Sequence, residues 1–124
     1  MRLTIDFLVH EALSNGRVSG RNCLADAPLG TVFTGLYRRD FPATKPGDVI
    51  ISPEPVFVCE LCLRLDAVEM YFRNMDFVAH GCTATLSLSG SGFSKLTGCL
   101  STAMEHTQYS ICVFDEPPRG VHNA

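Results

Sequence analysis

The sequence predicts an all-β domain, an antiparallel sandwich or barrel, with the closed barrel preferred. Three observations predict it: apolar residues recur at alternate positions along separate segments, turn-forming clusters divide those segments at short spacing, and no amphipathic crossover helix joins them. A chain of 124 residues is one domain, long enough to bury a core without disulfides or metal. Residues 1–116 are expected to form it. Residues 117–124 are expected to be a flexible tail, because Pro117-Pro118 ends a strand and the remaining residues are polar.

The first segment places Leu3, Ile5, Phe7 and Val9 on one face and Thr4, Asp6 and His10 on the other. Ser14-Asn15-Gly16 then signals a turn. Further turn signals stand at Pro28-Leu29-Gly30, Pro42 to Gly47 and Ser52-Pro53-Glu54-Pro55. From 57 to 66 the alternation is cleanest: Phe57, Cys59, Leu61, Leu63 and Leu65 oppose Val58, Glu60, Cys62, Arg64 and Asp66. After His80-Gly81, the residues Cys82, Ala84, Leu86 and Leu88 alternate with Thr83, Thr85, Ser87 and Ser89. Gly90-Ser91-Gly92 turns the chain, and a final apolar run covers Tyr109 to Phe114. Only Ser94–Gln108 and Glu69–Met75 could carry a short helix. The expected core includes Val32, Leu61, Leu63, Leu86 and Leu88.

Composition narrows the function classes. Ten basic against thirteen acidic residues leave a net charge of −3, so no general attraction to nucleic acid exists and DNA is not expected as a partner. Asp6, His10 and Glu11 interrupt the N-terminal apolar stretch, which argues against both a membrane helix and a signal peptide. A cytoplasmic protein with no membrane partner is expected. Its six cysteines then read as small buried hydrophobes.

The candidate chemical motifs are weak. Cys59-Glu60-Leu61-Cys62 has the spacing of a metal or redox pair, yet residues three apart in a strand face opposite ways and no second pair supplies further ligands. No metal and no cofactor are expected. His80-Gly81-Cys82 sets an imidazole near a thiol, a proximity that four histidines and six cysteines make unsurprising. Gly90-Ser91-Gly92-Phe93-Ser94-Lys95 lacks phosphate-loop spacing, and Ser87 to Ser94 lacks a nucleophile elbow. No catalytic residue is assigned. Arg17, Arg21, Arg38 and Arg39 form the one basic concentration, read as a solvated face with room for a few-phosphate contact.

Four segments, in order, are more specific. Gly30-Thr31-Val32-Phe33-Thr34-Gly35 resembles the GTVVTG strand that opens the second, β-barrel domain of elongation factor Tu and related translation GTPases. In the same order, Lys45-Pro46-Gly47-Asp48-Val49-Ile50-Ile51 resembles that domain's KVGEEVEI, and Val68-Glu69-Met70 with Phe72-Arg73 resembles VEMFR. Gly81 through Gly90 is similar to AGENVGVLLRG. The resemblance covers about residues 28–100 and implies a closed six-stranded antiparallel barrel. It also implies a non-catalytic binding module whose partner is a protein or RNA of the translation apparatus. Neither a P-loop nor a base-reading NKxD motif is present, so GTP binding is not expected.

In the family, the Glu of VEMF lies near the terminal adenosine of aminoacylated tRNA, and Glu69 matches it. The Asn of AGEN falls on Thr83, the Arg of VVTGR on Leu36 and the Arg of LLRG on Ser89. The partner-binding residues implied are Glu69, Thr83, Leu36, Arg38 and Arg39. A different class of function, a small enzyme or ligand-binding barrel, would use Glu69, His80, Cys82 and Thr83 around one polar pocket. A filled interior without that pocket favours the binding module; a pocket lined by those four favours the alternative.

Overall fold

The computed structural model describes residues 3–42, 47 and 53–114. The segment matched to KVGEEVEI, apart from Gly47, and the expected tail lie outside the described residues. Among the described residues the chain is mostly β with one short helix. Its strands are β1 (Leu3–Ala12), β2 (Arg17–Asn22), β3 (Ala27–Pro28), β4 (Val32–Asp40), β5 (Val56–Met70), β6 (Arg73–Met75), β7 (Phe77–Val78), β8 (Thr83–Ser91) and β9 (Thr107–Phe114), with helix α1 at Phe93–Ser101.

Pairing runs β4-β9-β1-β2-β8-β5, and β5 pairs again with β4, so six strands form a ring within one sheet. Every pairing around the ring is antiparallel. β6 extends β5 as a hairpin, and β3 with β7 forms a separate two-stranded sheet. Alternation decides what the ring encloses. Phe7, Val18, Phe33, Leu36, Leu63, Leu65, Leu86 and Ile111 are fully or almost fully buried in one cluster, drawn from every strand of the ring. Leu61 and Leu88 join it, as the pattern predicts.

The strand β5 is long enough to meet three neighbours because it is bent. Relative to β4, extra residues fall on β5 between the pairs Phe33↔Leu63 and Gly35↔Glu60, and again between Leu36↔Cys59 and Tyr37↔Phe57. A third falls between Leu65↔Leu88 and Ala67↔Ser87. Each bulge bends and twists the bulged strand. Close backbone approach matters in β2, where a Cβ on Gly20 would collide with the carbonyl oxygen of Leu8 on the neighbouring strand.

Three expectations are overturned, one of them by a bulge. Val32 is 39% exposed, because Phe33 pairs with inward Leu63 and so Val32, opposite the exposed Arg64, faces out. The bulge at Val58 turns Phe57 away from the core face. Its ring instead meets Tyr37 edge-on at 5.5 Å, and Tyr37 meets Phe114 at 6.2 Å, over the space that Gly35 leaves. Glu69–Met75 is not helical: Met70 pairs with Arg73 across a two-residue turn. The other expected helix exists over Phe93–Ser101, with Leu96 fully buried and Phe93, Cys99 and Leu100 packed against the core. Their spacing of three, three and one is that of a helix face.

Candidate functional site

β2, β8 and the end of β5 lie side by side, and their register aligns polar outward residues in rows. Ser19 pairs with Thr85, which pairs with Glu69; Arg21 pairs with Thr83; Arg17 pairs with Ser87. Inward Val18, Leu86 and Val68 alternate with them and fix the phase. The outward side chains surround a shallow concavity of about 320 Å³ lined by Ser19, Glu69, Met70, Tyr71, Phe72, Thr83, Ala84 and Thr85.

The rim of this concavity is the turn Tyr71-Phe72. Tyr71 is 87% exposed and Phe72 100% exposed. Their backbone φ values are 52° and 64°. Positive φ at both central residues is what a two-residue type I′ hairpin requires, and Asn-Gly supplies it with least strain. Bulky aromatics there cost of order 1–3 kcal/mol each, and total exposure returns no burial. The tip is thus an aromatic projection held at a cost.

Of the residues expected at a site, Glu69 and Thr83 come together here. A 3.9 Å ion pair links Glu69 to Arg17, with both side chains nearly half exposed. Leu36 is a correction: it is fully buried in the core, because its pairing with Cys59 sets it inward, and it offers nothing to a partner. Arg38 lies on β4, outside the concavity, with its Nε donating to Asp40 at 2.9 Å. Arg39 is mostly buried and not part of an open basic face, since it donates to the buried carboxylate of Asp6 at 3.0 Å. The four arginines therefore do not form one patch.

His80 and Cys82 do not line the concavity, so the four-residue polar pocket is not assembled. The turn that carries them is held from both sides. Gly81 N–H donates to the Asn22 carbonyl at 2.7 Å, and His80 N–H to Asp26 Oδ1 at 2.7 Å. Asn22, fully buried, donates through Nδ2 to the carbonyls of Ala25 and Val78. All six cysteines are free. Burial pushes the thiols of Cys23, Cys59 and Cys112 up, away from the thiolate that nucleophilic attack or metal ligation needs. Among the described residues no group of three or more His, Cys, Asp or Glu side chains converges. Among them also, no helix is long and apolar enough to cross a membrane.

The concavity can recognise but has no nucleophile paired with a base. Its groups are a carboxylate, three aliphatic hydroxyls and two projecting rings, one of them a phenol. No signal for those rings stands in the sequence: Met70-Tyr71-Phe72-Arg73 has no Gly or Asn to mark a turn.

No protein-family model matches the chain, and neither a curated protein nor a solved structure matches it.

Proposed function

We propose that the chain is a closed six-stranded barrel of the kind found as the second domain of elongation factor Tu, acting in the cytoplasm as a non-catalytic binding module of the translation apparatus. Glu69 and Thr83 mark its binding face, and the Tyr71-Phe72 turn is the anchor. The observation that carries this is the turn itself, two aromatics almost wholly in water on a backbone that disfavours them. Exposed aromatic anchors beside polar groups are the usual composition of a protein interface centre. The ring interior is filled by side chains, which leaves the outside of the ring as the surface for recognition.

A protein surface is the better partner for this face than a tRNA end. Thr83, Leu36 and Ser89 stand where the family has Asn, Arg and Arg, and a chain of charge −3 has few cations with which to displace phosphate counterions. Capture from a native extract, with and without RNase, tests both statements. A translation component retained after RNase and lost with Tyr71→Asn/Phe72→Gly is the expected result. Capture of no translation component, or equal capture by the variant, would overturn the proposal. Isolated aminoacyl-tRNA should show no binding at micromolar protein in about 0.15 M salt.

A further inference from the structure

A second concavity, of about 370 Å³, lies elsewhere on the ring, where β1, β4 and β9 adjoin the loop after β2. Its walls are Leu3, Leu8, Leu24 and Phe41, and its polar groups are Asp6, Arg39, Cys23 and Gln108. Leu24 is 40% exposed, an apolar wall open to water. At the floor is the Asp6–Arg39 pair, with side-chain exposures of 8% and 22%.

The floor offers hydrogen-bond donors beyond the one that Asp6 takes up. Both oxygens of Asp6 are engaged: Oδ2 accepts from Arg39 at 3.0 Å and Oδ1 from the Cys112 thiol at 3.8 Å. Arg39 has five N–H donors, and among the described residues it uses one nitrogen, Nη2, on Asp6. Asp6 therefore holds the guanidinium in place while its remaining donors stay available. A fixed fork of donors matches a carboxylate, and apolar walls match a hydrocarbon tail. A cation here would meet the Arg39 charge, 3.0 Å from the Asp6 carboxylate, and be repelled by it.

We propose that this concavity binds a small monocarboxylate with an apolar tail, its carboxylate on Arg39 and its tail against Leu8, Leu24 and Phe41. The site is independent of the face around Glu69. The full chain would be titrated with hexanoate and with hexanol, which has the same tail and no charge, followed by calorimetry and by backbone amide shifts. Hexanoate should bind about tenfold or more tightly than hexanol, with shifts at Leu8, Leu24, Phe41 and Gln108. Asp6→Asn/Arg39→Gln, which removes both charges together, should abolish the preference. Gln108→Glu, a change at an exposed rim residue, keeps the test valid if the double variant does not fold. It should weaken hexanoate several-fold and leave hexanol unchanged. Equal affinity for the two probes, no binding of either, shifts confined to Tyr71 and Phe72, or an unaltered hexanoate affinity in Gln108→Glu would overturn the proposal.

Discussion

The two concavities of the ring treat their awkward groups in opposite ways. Around Glu69 the chain pushes two aromatic rings into water on a left-handed backbone, where nothing in the fold repays them. Around Asp6 it draws a carboxylate out of water and satisfies both its oxygens. The first arrangement is local strain without local compensation, and the second is an unusual burial fully compensated. Strain of the first kind persists when something outside the fold uses it. Satisfaction of the second kind contributes to the fold whether or not a ligand binds, so stability measurements separate the two regions.

The largest effect should come from the core they share. Leu86, beneath the first face, and Ile111, behind the second, are both fully buried in one cluster. Leu86→Ala and Ile111→Ala should each cost about 2–5 kcal/mol in urea denaturation. A loss below about 1 kcal/mol at either would mean that the ring is not packed on that side. Next comes the ion pair. Arg39→Gln strands a carboxylate only 8% exposed and should cost about 2–4 kcal/mol, more than Asp6→Asn, which leaves a guanidinium that water reaches. Equal costs would show that Asp6 is better hydrated than its burial implies.

At the strained turn the sign reverses. Tyr71→Asn/Phe72→Gly should stabilise the chain by about 1–3 kcal/mol, because it installs the residues a type I′ turn prefers and removes no buried area. Destabilisation would show that the rings pack on the concavity and are not held out for a partner. Alkaline pH probes the aromatic cluster of Tyr37, Phe57 and Phe114 in turn. Burial, with a smaller contribution from the nearby Cys112 thiol, pushes Tyr37 up from the ordinary value of 10 to about 12. The folded state thus favours the neutral phenol. Its contribution is complete below about pH 10 and is lost as pH rises towards 12, so stability should fall across that window. Tyr37→Phe should flatten the fall, as measured by denaturant midpoint against pH.

Where one period held, the sequence was legible: Leu61, Leu63, Leu65, Ala84, Leu86 and Leu88 are all inward, and the irregularity of β5 against β4 near Leu61 does not turn Leu61 out. What it concealed lies at breaks in the period. The extra residue at Val58 shifts the phase of the strand beyond Cys59, which is why Phe57 left the core face. Val32 carries the same lesson in another form, since only its pairing with Arg64 shows which face of β4 is inward. Asp6 stands on the outward face its position predicts, yet it is buried, because Arg39 and Cys112 reach it from strands far away in sequence. Glu69 and Thr83 meet through the pairing of β5 with β8, and alternation within each strand is silent on that register. The turn at Tyr71 was hidden because its residues break the usual rule for turns.

The smallest stability effect belongs to Glu69, and it sharpens the comparison most. Its pair with Arg17 spans 3.9 Å, and the two side chains are 48% and 43% exposed. At that exposure water screens the attraction, and holding two long side chains in one geometry costs entropy, so such pairs contribute about 0–1 kcal/mol. Glu69→Gln should therefore change stability by no more than about 0.5 kcal/mol, against the several lost with Arg39→Gln. The same substitution keeps the shape of the side chain and removes only its charge. If Glu69 contacts a partner through that charge, Glu69→Gln should weaken capture while the denaturation midpoint stays put, a separation that no core or strand substitution produces. A loss of about 2 kcal/mol or more would instead make the Glu69–Arg17 pair a structural tie between β2 and β5, and this face would then resemble the one around Asp6.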